Sequence, residues 1–412
     1  MSDQIPEVLS VTPHDLAHGG EAVAKVDGKA IFVAGVMPGE QARVRITKDK
    51  GAWARAELVE IIEPSSDRIA PPCAHFGVCG GCQWQYAPPA TQVAWKQGVV
   101  ESQLQHLAGL TDVDVRPVET PGPPFGYRNR MDFQIAGGKP ALYRGSTRVE
   151  VPIDECLLLV PALAELYQRL GNVDGLNSLT IRAGVNTEQV LAIVTGRLPE
   201  SAKNWGVPIA RVRRGTPSVE QGQMHLYEEV AGHRYRITAN GFFQNNTWGA
   251  EALIRLVTEA LEPEKDDVLL DAYAGGGLFS VALGKSVSQL IAVETSPLGL
   301  RDLEHNLEAA DGPAADIVGV PFEESAGEYD DWTIAVCDPP RTGLGAAGVD
   351  ALIDARPRRV AYVSCDPASF ARDAKTLVEY GYALKWVSPV DMFPQTYHIE
   401  TVARFDRVDP TA

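Results

Sequence analysis

At 412 residues the chain exceeds what one ordinary hydrophobic core fills, so two or three domains are expected. With 37 Lys plus Arg against 54 Asp plus Glu, its net charge of −17 excludes a uniformly basic nucleic-acid-binding surface and leaves any phosphate contact to local clusters. Met1-Ser2-Asp3-Gln4 shows no basic and apolar signal region, and no apolar run reaches the roughly 20 residues of a spanning helix, so a cytoplasmic protein without a membrane partner is expected.

Residues 7 to 61 alternate apolar and polar positions in short runs, such as Ala30-Ile31-Phe32-Val33-Ala34 and Ala42-Arg43-Val44-Arg45-Ile46, broken by Gly28, Pro38-Gly39 and Gly51. That pattern predicts a small β-barrel over residues 1–63. Gly19-Gly20-Glu21-Ala22-Val23-Ala24, followed by Phe32 to Glu40, resembles a TRAM domain, an oligonucleotide-binding-type barrel appended to RNA-modifying enzymes. Arg43, Arg45, Lys48, Lys50 and Arg55 form one basic cluster here; Arg128, Arg130, Lys139, Arg144 and Arg148 form a second. Each is readable as a phosphate contact or as a solvated charged face.

Pro64 to Pro72 is a proline-bearing linker into a central α+β region spanning 64–240. Its opening carries Cys73, Cys79 and Cys82, spaced x5 then x2 with Gly80-Gly81 between the last two, and Cys156 supplies a distant fourth thiol. Disulfides are disfavoured in a cytosolic chain, so metal is the better explanation, and four thiolates suit zinc or a four-iron cluster equally by count. Val212 to Gly232 reads as polar and turn-rich, and Arg234 to Thr238 as a strand.

From about residue 247 the pattern becomes helix followed by strand. A helix from Trp248 to Leu261 and strands at 267–271, 289–293, 333–337 and 359–363 predict a mostly parallel sheet, hence a Rossmann-like α/β domain over 241–412. Asp271-Ala272-Tyr273-Ala274-Gly275-Gly276-Gly277 lies beyond the carboxyl end of the first strand, where backbone amides approach a nucleotide-like cofactor. Glu294, ending the next strand, is placed to accept hydrogen bonds from ribose hydroxyls, which suits a nicotinamide or an S-adenosylmethionine cofactor alike. Asp338-Pro339-Pro340 is a signature of methyltransferases acting on planar nitrogenous rings.

Ser364-Cys365-Asp366-Pro367 and His398-Ile399-Glu400 pair a candidate nucleophile with a candidate base. With Asp338-Pro339-Pro340-Arg341 and the glycine-rich turn, they resemble the catalytic half of the S-adenosylmethionine-dependent RNA 5-methyluridine methyltransferases. The resemblance implies that Cys365 adds to carbon 6 of a flipped uridine and Glu400 removes the carbon 5 proton. It also implies that Gln244, Tyr273, Gly275, Glu294 and Asp338 line the cofactor pocket, and that Phe125 to Arg130 runs near the substrate. A lowered Cys365 pKa is expected, through backbone amides after strand 359–363 or a nearby cation, with Arg341 and Arg372 as candidates. Two positions depart from the family: Leu278 replaces a common polar residue, and Val320 stands where an acidic or amide side chain usually reaches adenine, leaving Phe322 or Glu323 as substitutes. Gln395 stands where relatives often carry His, and Cys337 is expected beneath the site.

For Cys73, Cys79, Cys82 and Cys156, resemblance to ribosomal uridine methyltransferases with a four-iron, four-sulfur cluster implies a structural [4Fe-4S] centre, zinc being the alternative. The implied partner is RNA, with ribosomal RNA favoured over transfer RNA, and the enzyme is expected to be a monomer. Adenine amino-group methylation and noncatalytic RNA binding are the rival readings. The first normally places an aromatic residue where Arg341 stands, and neither needs Cys365 with Glu400.

Overall fold

In the computed structural model, residues 8–145, 147–325 and 331–408 are described. The N-terminal alternation becomes a six-stranded sheet, ordered Val8–Val11, Gln41–Asp49, Trp53–Glu63, Lys29–Val33, Ala22–Val26, Asp15–Leu16. Its inward positions, Ala22, Ala24, Ile31, Val33, Ala42, Val44 and Ala54, are buried. Trp84, Tyr86 and Ala87, from beyond the first three cysteines, complete the same core. The outward arginines of the first basic cluster meet cross-strand acids: Arg43 with Glu60 at 2.8 Å and Arg45 with Glu57 at 2.6 Å, while Arg55 reaches Glu21 at 3.1 Å. All three arginines are thus ion-paired on the exposed face of the sheet.

The central sheet has seven strands, ordered Thr216–Gln221, Ile209–Arg213, Gln189–Gly196, Leu176–Gly184, Arg130–Ala136, Lys139–Tyr143, Glu150–Pro152. Leu163, Leu166, Tyr167 and Trp205 pack on one face with Leu179, Ile181 and Val194. The stretch read as polar and turn-rich forms two strands, Thr216–Gln221 and His225–Val230, the second paired with His233–Thr238. Its inward residues are only Pro217, Leu226, Glu228 and Val230, so the apolar signal is faint.

The C-terminal sheet runs Ala315–Val318, Gln289–Val293, Val268–Ala272, Ile334–Cys337, Arg359–Ser364, Glu400–Arg407, Tyr382–Val390. Its first five strands are parallel, Glu400–Arg407 runs antiparallel to both its neighbours, and the edge strand Tyr382–Val390 runs again with the first five. Helices cover both faces. One comes from far upstream: Pro89–Gln103 and the turn after it bury Val99, Val100, Leu104 and Ala108 with Phe370 and Leu377. Burying one Phe such as Phe370, which has no exposed surface, is worth roughly 1.5–3 kcal/mol, so this crossing is a firm junction. From the same helix, fully buried Lys96 donates to Asp391 Oδ1 at 2.6 Å and to the carbonyls of Phe393 and His398. Removing one partner of such a pair costs about 3–5 kcal/mol. No helix among the described residues is long and apolar enough to cross a membrane.

Candidate active site

Strand register, rather than sequence distance, brings the site together. Arg359–Ser364 pairs antiparallel with Glu400–Arg407 so that Ser364 faces Thr401. One step further along that ladder lie Cys365 and Glu400. The parallel neighbour ends at Cys337, level with Tyr362, and so delivers Asp338 to the same edge. Asp366 then starts the helix Pro367–Glu379, its Oδ1 accepting the Ser369 amide at 2.9 Å.

On the far side, Val268–Ala272 runs into the glycine-rich turn. Tyr273, Gly275 and Gly277 adopt φ of 64°, 58° and 88°, which only the latter two adopt without strain. Glu294 accepts the Gly275 amide at 2.8 Å and the Ser296 amide at 2.5 Å, tying turn to neighbouring strand. A Cβ at Gly299 would lie 2.9 Å from Glu294 Cγ, so the carboxylate rests against bare backbone. Asn306 donates to the Gly276 carbonyl at 2.9 Å from behind.

Between these edges lies a cavity of about 600 Å³, large enough for a nucleoside cofactor beside a base. All seven expected residues, Gln244, Tyr273, Gly275, Glu294, Asp338, Cys365 and Glu400, line it. Arg341 and His398 line it as well, with Arg341 3.3 Å from His398 Nδ1. Leu278 is part of the wall, whereas Val320, Phe322 and Glu323 are absent from it. Phe322 is buried against the Tyr273 ring and Glu323 accepts the Tyr273 hydroxyl at 2.6 Å, so both brace Tyr273. Cys337 is buried beneath the site. Gln395 is a structural hub, its amide group exchanging hydrogen bonds with Gln92 and Pro124. Of Phe125 to Arg130, Arg128 reaches the cavity, while Tyr127 is buried with its hydroxyl on the Pro394 carbonyl.

Sequence reasoning missed Phe242, Asn245 and Phe393 in the wall. Phe242, two-thirds exposed, is the most exposed large apolar side chain among the described residues. Asn245 holds a buried amide oxygen that has no hydrogen-bond partner. Asn245 follows Gln244 directly and Phe242 stands two residues before it, the one signal for either residue.

The electrostatics correct one expectation. Burial first, then the Glu400 and Asp338 carboxyls, push the Cys365 thiol up to about 12, against the downward pull of Arg341. The expected lowering is not met: burial, with the two carboxyls adding to it, outweighs Arg341, and Arg372 lies exposed on its helix away from the cavity. Enclosure by protein raises Asp338 to about 7 although its surface touches the cavity. Burial, then Asp338, raises Glu400 well above the carboxylate range.

Cys73, Cys79, Cys82 and Cys156 line a second cavity of about 330 Å³. Three sulfurs receive hydrogen bonds of the kind thiolates use: Cys79 from the Gly81 amide, Cys156 from the Leu158 amide and Cys82 from the Gln85 side chain. The donor chemistry thus fits a soft metal centre. Even so, no three or more His, Cys, Asp or Glu side chains among the described residues are arranged to hold a metal ion, so the expected four-cysteine centre is not formed as a ligand set. Burial, with the neighbouring cysteines adding to it, pushes the Cys82 thiol up to about 12 and the Cys156 thiol up to about 11.

Family models match at residues 6–59 for the TRAM domain and 207–329 for tRNA (uracil-5-)-methyltransferase. An uncharacterized RNA methyltransferase of Streptomyces coelicolor is 34% identical over 97% of this chain and 93% of its own. Another, from Streptomyces avermitilis, is 32% identical over 94% and 95%. The chain belongs to the TRAM-bearing RNA uracil-5-methyltransferase family. Among solved structures, the Pyrococcus abyssi tRNA (uracil-54, C5)-methyltransferase in complex with S-adenosyl-L-homocysteine matches with a TM-score of 0.77 at 26% identity, covering 96% of this chain and 99% of that one. The fold is thus that of S-adenosylmethionine-dependent RNA methyltransferases, barrel included.

Proposed function

We propose that this enzyme methylates carbon 5 of a uridine in structured RNA. The observation that carries the reading is the convergence of Cys365, Glu400 and Asp338 on the cavity that the glycine-rich turn also lines. S-adenosylmethionine, held by Gln244, Tyr273, Gly275, Glu294 and Asp338, supplies an electrophilic methyl group. Carbon 5 of uracil is a poor nucleophile until the 5,6 double bond is broken. Cys365 gives up its proton to solvent, and the sulfur adds to carbon 6, leaving an enolate whose carbon 5 takes the methyl. Glu400, whose raised pKa makes it a strong base once it has released its own proton to solvent, then removes the carbon 5 proton, the double bond re-forms and the thiolate departs. Arg341, which acts on Cys365 against its burial, favours the thiolate.

Two RNA classes have separate support. The barrel and cysteine cavity favour ribosomal RNA; likeness to an enzyme named for a transfer RNA position favours transfer RNA. Any metal centre, a [4Fe-4S] cluster or zinc, would be held by Cys73, Cys79, Cys82 and Cys156 as a structural crosslink. We place the enzyme in a reducing cytoplasm as a monomer of three units, 1–63, 64–240 and 241–412. The test is incubation of anaerobically purified protein with 5-fluorouridine-substituted ribosomal and transfer RNA plus S-adenosylmethionine. Fluorine does not leave as a cation, so a methylated adduct should be trapped at Cys365 with the true substrate class. Failure of both RNAs to trap cofactor-loaded protein would sink the reading in favour of adenine methylation or simple RNA binding.

A further inference from the structure

The barrel touches both loops that carry the reaction cavity's chemistry. His18, in the turn before Ala22–Val26, lies with Nε2 2.9 Å from Asp366 Oδ2 across 348 residues of sequence. Its Nδ1 is buried without a partner, so the ring's polar anchoring runs through Asp366. Asp366 follows Cys365 directly and uses its other oxygen to cap the helix Pro367–Glu379. Two residues on, Gly20 packs so closely on Tyr397 that a Cβ there would sit 2.8 Å from the Tyr397 Cβ. Tyr397 in turn lies 4.5 Å, ring to ring, from His398, which contacts Arg341 in the cavity wall. The Gly20 carbonyl is itself held by the Trp84 indole.

We infer that the barrel is part of the catalytic frame, with His18 a positioning residue that fixes Asp366 and, through it, the turn presenting Cys365. A barrel serving only to grip RNA would need no hydrogen bond to the residue beside the nucleophile. With this contact, RNA seated on the barrel and the sulfur that attacks its base share one rigid reference. The inference rests on the uridine reading for its kinetic consequence, though not for its structural one.

The test uses the full chain with His18→Ala, His18→Gln, Asp366→Ala and the His18→Ala/Asp366→Ala pair. At saturating 5-fluorouridine RNA, His18→Ala should slow single-turnover adduct formation about tenfold while RNA affinity stays within about twofold. His18→Gln, which keeps a side-chain N–H, should recover most of the rate. In the Asp366→Ala background, where the cap is already lost, His18→Ala should have no further effect. Without RNA, amide exchange over residues 365–370 should quicken about tenfold in His18→Ala. Unchanged exchange would overturn the inference, as would weaker RNA binding at an unchanged saturating rate. If the unaltered enzyme trapped no RNA, the uridine reading would fail, and the exchange measurement would still decide the positioning role.

Discussion

The two cysteine-lined cavities share a wall, Arg128 and His398, and in each a thiol is pushed up to about 12, yet the causes differ. After burial, Cys365 is raised by the Glu400 and Asp338 carboxyls and relieved by Arg341. Cys82 is raised by its fellow cysteines and relieved by the Gln85 side chain. The size of a shift therefore says little about a thiol's task, and its neighbours say much. A sulfur among carboxyls at strand ends has a proton acceptor at hand for carbon chemistry. The other four sulfurs line a cavity of their own without forming a metal-ligand set among the described residues.

The sharpest way to break that contrast is Glu400→Gln. It removes the acceptor while preserving shape, so turnover should fall about 10³-fold, within the range general bases contribute. Addition does not need the base, so ordinary uridine RNA should now accumulate as a denaturation-resistant complex at Cys365. Turnover loss without such a complex would place Glu400 before addition instead of after it.

In the other cavity, Cys82→Ser should leave adduct formation per folded molecule within about twofold while lowering stability on the order of 3 kcal/mol, if the thiols jointly hold a metal. A urea midpoint alongside metal analysis checks this. An unshifted midpoint with no metal in either protein would leave these cysteines as plain core residues.

Asp338→Asn addresses the cost of enclosing a carboxyl at the first site. An unfolded Asp titrates near 3.8 and the folded group near 7, so the folded state holds its proton longer. Stability from this group is fully present below pH 4 and is lost as pH rises through about 7, where folding must bury a charge. Asparagine carries no such penalty. The variant should gain about 1–3 kcal/mol at pH 8 and close to nothing at pH 4, while losing activity. Equal melting temperatures at both pH values for the two proteins would refute the charge argument.

How much of this was visible in the sequence follows physical lines. Strands 268–272, 289–293, 334–337 and 359–364 were legible because buried parallel strands are nearly continuous apolar runs ended by glycine or charge. Five of the seven cavity residues, Tyr273, Gly275, Glu294, Asp338 and Cys365, follow such strand ends, whereas Gln244, in a loop, and Glu400, opening an antiparallel strand, were legible only through the family resemblance. Illegible were the contacts made between distant segments: His18 with Asp366, Lys96 with Asp391 and Arg43 with Glu60. The helix Pro89–Gln103 buries Gln92 and Lys96 among its apolar residues, so no clean amphipathic stripe announced it. The thiol's raised pKa was missed for the same reason: local motif chemistry names the nucleophile, while tertiary neighbours set its charge.

The smallest effect concerns the two basic clusters. Arg43 faces Glu60 across the barrel, an exposed pair worth about 0–1 kcal/mol, and its charge is already offset before RNA arrives. Arg128 donates instead to a carbonyl, that of Arg130, and borders both cavities, so its charge stays available to a phosphate at the cavity mouth. Arg43→Ala should therefore change RNA affinity less than about twofold and leave its salt dependence alone. Arg128→Ala should reduce the slope of log affinity against log salt by about one. If Arg43→Ala instead flattens that slope, RNA must displace Glu60, and the barrel's charge ladder would be a phosphate track after all.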